Sequence, residues 1–251
     1  MALTYFRHQL HLHGQKIVAV LIIFLLGLSS PAFSQGRIKT ENLPGYEERL
    51  LRWGFSLGLN TSWYQLEHSR SYVNRLQTDS AYSANAVNRV GFNVNFIATY
   101  RLAPNFLVRF QPGVGYHGRA IDYKGDLRSV STDDYVVQEV NTFSLEMPLL
   151  VKYESLRRKN SQMYFIAGVK PSFVVGGIKK GNPELLQVGS SDFTIEYGVG
   201  FDMFYPFFKF SPELRYSRGI TNLHEPAHNN LYYNTMQRLT TNTITLYLNF
   251  E

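Results

Sequence analysis

Between residues 241 and 250 apolar and polar side chains alternate with a period of two. Ile244, Leu246, Leu248 and Phe250 share one face of an extended strand, and Thr241, Thr243, Thr245 and Asn249 share the other. A helix, with 3.6 residues per turn, would scatter both sets around its axis. The same alternation recurs over residues 53–60, 92–100, 108–117, 143–152, 165–173, 193–203 and 208–216, most weakly over 165–173. A chain patterned in this way is held to ribbons with one greasy side and one polar side.

Residues 1–34 read as a cleaved secretory signal peptide. Arg7 and Lys16 precede an apolar run over 17–28, and Ala32 and Ser34 supply the small side chains of a cleavage site. As a retained helical anchor the run of apolar residues would rise only about 18 Å, short of a hydrocarbon core of about 30 Å. No later stretch is long and apolar enough for a membrane helix, so any crossing is made by strands. The chain contains no cysteine, which excludes disulfides, a lipid-anchor cysteine and thiolate chemistry. Its formal charge of +6 falls by two when the leader is removed, and its basic residues are scattered, so no nucleic-acid partner is expected. Residues 35–51 form an N-terminal lead-in, with Glu47, Glu48 and Arg49 on one helical turn, and residues 52–251 form the strand domain.

Short connections (residues 101–105, 154–161 and 205–206) alternate with long ones (63–88, 119–139, 176–190 and 218–240). That rhythm belongs to outer-membrane barrels, with short periplasmic turns and longer extracellular loops, and it puts both termini in the periplasm. A soluble eight-stranded barrel would also alternate, with its apolar face inward. Glycines on the polar face (Gly54, Gly58, Gly91, Gly113, Gly115, Gly168, Gly198 and Gly200) and dense aromatics on the other favour apolar-out, because eight strands enclose room only for side chains. The expected fold is therefore all-β: an eight-stranded antiparallel transmembrane β-barrel of the outer membrane of a Gram-negative cell, following a cleaved signal peptide.

In that orientation Arg109, Glu146, Lys152, Lys170, Glu196, Asp202, Lys209, Glu213 and Arg215 point into the lumen. An unpaired charge in so narrow an interior is costly, so these residues are expected to form a paired structural network that plugs the barrel.

The H-E-x-x-H pattern is met by residues 224–228, but Pro226 resists the helix that zinc binding by this motif needs, and no further acid follows before Glu251. No metal site is expected there. Of the histidines beyond the leader (His68, His117, His224 and His228), only His117 lies on a strand, facing the lumen near Ser172 or Glu196. Without a nucleophile motif this gives no catalytic residue. Gly198-Val199-Gly200 lies inside a strand and opens no helix, so it is barrel glycine and no dinucleotide site. No cofactor and no small-molecule substrate are expected.

Several segments resemble the PorT family, an outer-membrane barrel component of the type IX secretion system. They are Asn42-Leu43-Pro44 leading into residues 53–60; Gly91-Phe92-Asn93-Val94; residues 107–113; Leu145-Glu146-Met147-Pro148-Leu149-Leu150-Val151-Lys152-Tyr153; Tyr197-Gly198-Val199-Gly200-Phe201-Asp202; Lys209-Phe210-Ser211-Pro212-Glu213; and the closing Leu248-Asn249-Phe250-Glu251. The pattern departs at Gln111, where an acid is expected before Pro112. The resemblance implies a non-enzymatic subunit supporting protein export, with outer-membrane lipid and other type IX subunits as partners. A surface adhesion or ligand-binding barrel working through its loops, and a lipid-modifying enzyme, are the alternatives.

Overall fold

A computed structural model describes residues 41–68, 83–124, 135–180, 189–223 and 236–251. The expected leader and the 224–228 segment lie outside the described residues. The described elements are a short 3-10 turn (Tyr46–Glu48) followed by β1 (Leu51–His68), β2 (Ser83–Arg101), β3 (Phe106–Phe110), β4 (Gly113–Lys124), β5 (Tyr135–Glu146), β6 (Leu149–Glu154), β7 (Ser161–Lys180), β8 (Ser191–Phe204), β9 (Lys209–Gly219) and β10 (Met236–Phe250).

Every pairing is antiparallel, and the pairings run in a ring. β1 pairs with β10, then come β9, β8 and β7; β7 pairs with both β5 and β6, β2 with both β3 and β4, and β2 returns to β1. The alternation predicts continuous strands over 108–117 and 143–152, and the structure corrects this: each is cut in two, at Gln111-Pro112 and at Met147-Pro148. Proline has no N–H to give to a ladder. The gap is bridged by hydrogen bonds from Gln111 N to the Pro148 carbonyl at 3.0 Å and from Met147 N to the Pro171 carbonyl at 3.0 Å. Counting β3 with β4 and β5 with β6, eight staves close the barrel. The strands also outrun their sequence limits, and β7, whose alternation was weakest, is the longest at 20 residues.

The apolar face looks outward. Phe55, Leu57, Val94, Tyr197, Val199 and Leu246 are all roughly half exposed, while Ser56, Glu196, Asp202, Thr243, Thr245 and Asn249 are buried in the bore. Such a surface suits a hydrocarbon solvent, which asks only that backbone groups be paired within the ring. Neighbouring staves are stitched by outward aromatic pairs, including Phe55 with Phe250 at 5.0 Å and the run Phe92, Tyr116, Phe143 across β2, β4 and β5.

Inside, glycine makes room for tyrosine. A Cβ on Gly200 would strike the Tyr164 ring, and one on Gly58 would come within 2.9 Å of the Tyr247 ring. At the end of the barrel with the short turns, the lead-in is tied across the mouth. Asn42 N donates to Asn160 Oδ1 at 2.8 Å, Asn42 Nδ2 donates to the Phe204 carbonyl at 3.0 Å, and Arg157 donates to the carbonyls of Asn42 and Leu43. Tyr46 is buried beneath this strap, with the cations of Arg52, Lys209 and Arg49 at 5.1, 5.2 and 5.3 Å from its ring. Burial, followed by the nearby Glu251 carboxylate, raises the Tyr46 phenol above its ordinary range, so it stays a neutral donor to Glu251.

Candidate functional site

The alternation of each stave places its charged residues in the bore, and the ring brings charges from distant parts of the chain to one axis. All nine residues expected there are buried among the staves. Three more ionised residues join them: Arg52, Glu154 and Glu251, each one strand step beyond a polar-face residue already assigned. Among the described residues the buried set is thus six cations and six carboxylates.

These charges form one chain that alternates in sign at every link. It starts at the short-turn mouth with Arg52 to Glu154 at 3.2 Å, Glu154 to Lys152 at 2.8 Å and Lys152 to Asp202 at 2.7 Å. Asp202 faces Lys209 at 3.8 Å, Lys209 meets Glu251 at 2.5 Å, and Glu251 meets Arg109 at 2.6 Å. From Arg109 the chain runs to Glu213 at 3.3 Å, to Arg215, and on to Glu196 at 3.0 Å. Lys170 then joins Glu196 at 3.0 Å to Glu146 at 3.2 Å, and Glu146 receives His117 Nε2 at 2.7 Å.

Neutral side chains fill the remaining valences. Tyr164 donates to Glu213 at 2.7 Å, Asn93 donates to Glu146 at 2.9 Å, and Ser217 donates to Glu196 at 2.5 Å. The ammonium of Lys152 lies 3.7 Å from the centre of the Tyr164 ring, and Arg215 lies 4.4 Å from that of Tyr247. Gln111 accepts from Arg215 at 2.9 Å, a contact that adds no charge to a balanced set. Desolvating so many ions consumes much of what their attraction returns, so the network is weak evidence of net stabilisation. Side chains cross the axis from the short-turn mouth as far as Glu146 and His117.

His117 has different neighbours from those the sequence suggested. Ser172 donates to the Asp192 carbonyl at 3.2 Å, and Glu196 is occupied by Lys170, Arg215 and Ser217. Instead, His117 Nδ1 lies 3.2 Å from Ser62 Oγ. With Glu146 ionised, Nε2–H is the donor to it, and Nδ1 faces the Ser62 hydroxyl. The trio has the residue types of an acyl-transfer site, but Ser62 is fully buried, and its hydroxyl also lies 3.0 Å from Thr243 Oγ1 and 3.3 Å from Asn60 Oδ1. No strained turn presents it, since it lies in mid-strand in β1. Among the described residues no group of histidine and carboxylate side chains is arranged to hold a metal.

Above Glu146 and Lys170 the packing opens into a chamber of about 210 Å³ at the long-connection end, walled by residues that include Tyr64, Arg119, Val174, Asp192 and Leu223. It is not legible in the sequence, because the chamber exists only where six staves meet.

The model of a family described as outer membrane protein beta-barrel domain matches residues 33–225. Among solved structures, the chain is similar to the outer membrane protein OprG from Pseudomonas aeruginosa, with 12% identity over 78% of this chain and 94% of that one at a TM-score of 0.44. Neisserial surface protein A gives 12% identity over 78% and 95%, with a TM-score of 0.37. The outer membrane protease OmpT from Escherichia coli gives 11% identity over 80% and 94%, with a TM-score of 0.41. No curated protein sequence matches.

Proposed function

The chain belongs to the outer membrane protein beta-barrel domain family, and on that premise we propose that it is a non-enzymatic subunit supporting protein export by the type IX secretion system. It works as a fixed membrane scaffold with both termini in the periplasm, held in outer-membrane lipid and joined to other subunits of that machine. The observation that carries this reading is the charge chain along the bore. Cargo has no path through a bore crossed by this chain of paired side chains, so a role in export is one of assembling or holding other components.

The resemblance to the PorT family supports the same reading at particular residues. The segments that carry it supply Arg109, Glu146, Lys152, Asp202, Lys209, Glu213 and Glu251, which make up most of the charge chain. The likeness therefore lies in the plug as well as in generic barrel pattern.

The test is deletion of the gene in its own host, with complementation, together with affinity purification of the tagged protein from membranes. The reading expects cargo proteins to accumulate in the periplasm of the deletion strain and secretion subunits to co-purify. Normal secretion with no co-purified subunit would overturn it and favour surface adhesion. Altered lipid A, restored by wild type but not by His117→Ala, would favour an enzyme.

A further inference from the structure

We infer that the chamber at the long-connection end is a binding site for a small zwitterion of the amino-acid class. Its volume of about 210 Å³ equals the share of about seven waters in the liquid. That is room for one molecule of this size.

Most hydroxyls on its wall are already used. Ser144 donates to the Gly115 carbonyl, Ser172 to the Asp192 carbonyl, Thr194 to the Lys170 carbonyl and Thr241 to Asp192 Oδ2. The groups left over are of two opposite kinds. Lys170 uses two of its three N–H donors on Glu146 and Glu196, and Arg119, whose guanidinium lies 5.4 Å from the centre of the Tyr64 ring, keeps a buried Nε without a hydrogen-bond partner among the described residues. Against these donors stands one anionic acceptor, Asp192 Oδ1, which is also buried and unpartnered among the described residues.

Lys170 and Asp192 stand at different depths. The register pairs Lys170 with Thr194 and Ser172 with Asp192, so Asp192 lies two residues, about 6.6 Å, nearer the long-connection mouth. Val174 and Leu223 add an apolar patch to the wall. A simple anion would be drawn to Lys170 and repelled by Asp192, and a simple cation would meet the reverse. A zwitterion satisfies both, with its carboxylate on Lys170 and the neighbouring donors, its ammonium on Asp192, and its carbon skeleton against Val174 and Leu223.

The test is calorimetric titration of the full chain in lipid nanodiscs with leucine and γ-aminobutyrate, against acetate, ethylammonium and glucose. Saturable binding of at least one zwitterion, with acetate and ethylammonium weaker by about tenfold or more, supports the site. Asp192→Asn, checked for folding by heat-dependent gel mobility, should weaken the zwitterion by about tenfold and strengthen acetate. Binding of no probe, a preference for glucose, or unchanged zwitterion affinity in a folded Asp192→Asn protein overturns the inference. Should that variant fail to fold, the ranking of wild-type ligands decides alone.

Discussion

Arg215 shows how tightly the interior is specified at the level of single residues. Its guanidinium meets Glu213 through two nitrogens and Glu196 through a third contact, and it also donates to Gln111, all fully buried. Substituting Arg215→Met leaves the buried carboxylates of Glu213 and Glu196 each short of a cationic partner. We expect destabilisation of about 3–5 kcal/mol, measured as a shift in the chemical unfolding midpoint of the lipid-reconstituted protein. Adding Glu213→Gln to Arg215→Met should recover part of that loss, because the two changes touch one network and are not additive. Equal and additive losses would mean that the pair is not coupled.

At the level of elements, two features depart from a plain set of staves. Prolines cut two staves in mid-span, yet the ring stays continuous because the freed amides of Gln111 and Met147 find carbonyls one strand over. The lead-in is held across the short-turn mouth chiefly by Arg157, whose hydrogen bonds to backbone carbonyls each carry charge assistance. Arg157→Ala is expected to release residues 41–50, at a cost of about 1.5–3 kcal/mol for a charged hydrogen bond. Limited proteolysis reads this directly, with new cleavage before β1 and an intact barrel fragment; an unchanged digest would show that other contacts hold the strap.

Period-two alternation made the staves and nine of the bore charges legible without a structure. Arg52, Glu154 and Glu251 were legible too, since each continues the polar face by one more step of two; they were missed because strand ends were drawn too short. The inward tyrosines were not legible. Tyr164 and Tyr247 fit inside only because Gly200 and Gly58 lie opposite on neighbouring strands, and that register is not written in either segment alone. The partner of His117 was hidden for the same reason: the register places Thr142 directly opposite His117, and Glu146 reaches it from four residues farther along β5.

At the scale of the whole molecule, a barrel with its apolar residues outside and its ions inside is stable only in a solvent that welcomes the one and excludes water from the other. The absence of native cysteine allows single nitroxide labels to be placed at Val94, Val199 and Leu246, three outward positions on different staves. In reconstituted bilayers their collision rates with oxygen, which concentrates in lipid, and with a water-soluble nickel chelate report the solvent of each face. The account predicts that oxygen dominates at all three sites; dominance of the chelate, or labels frozen by packing as in a core, would contradict it.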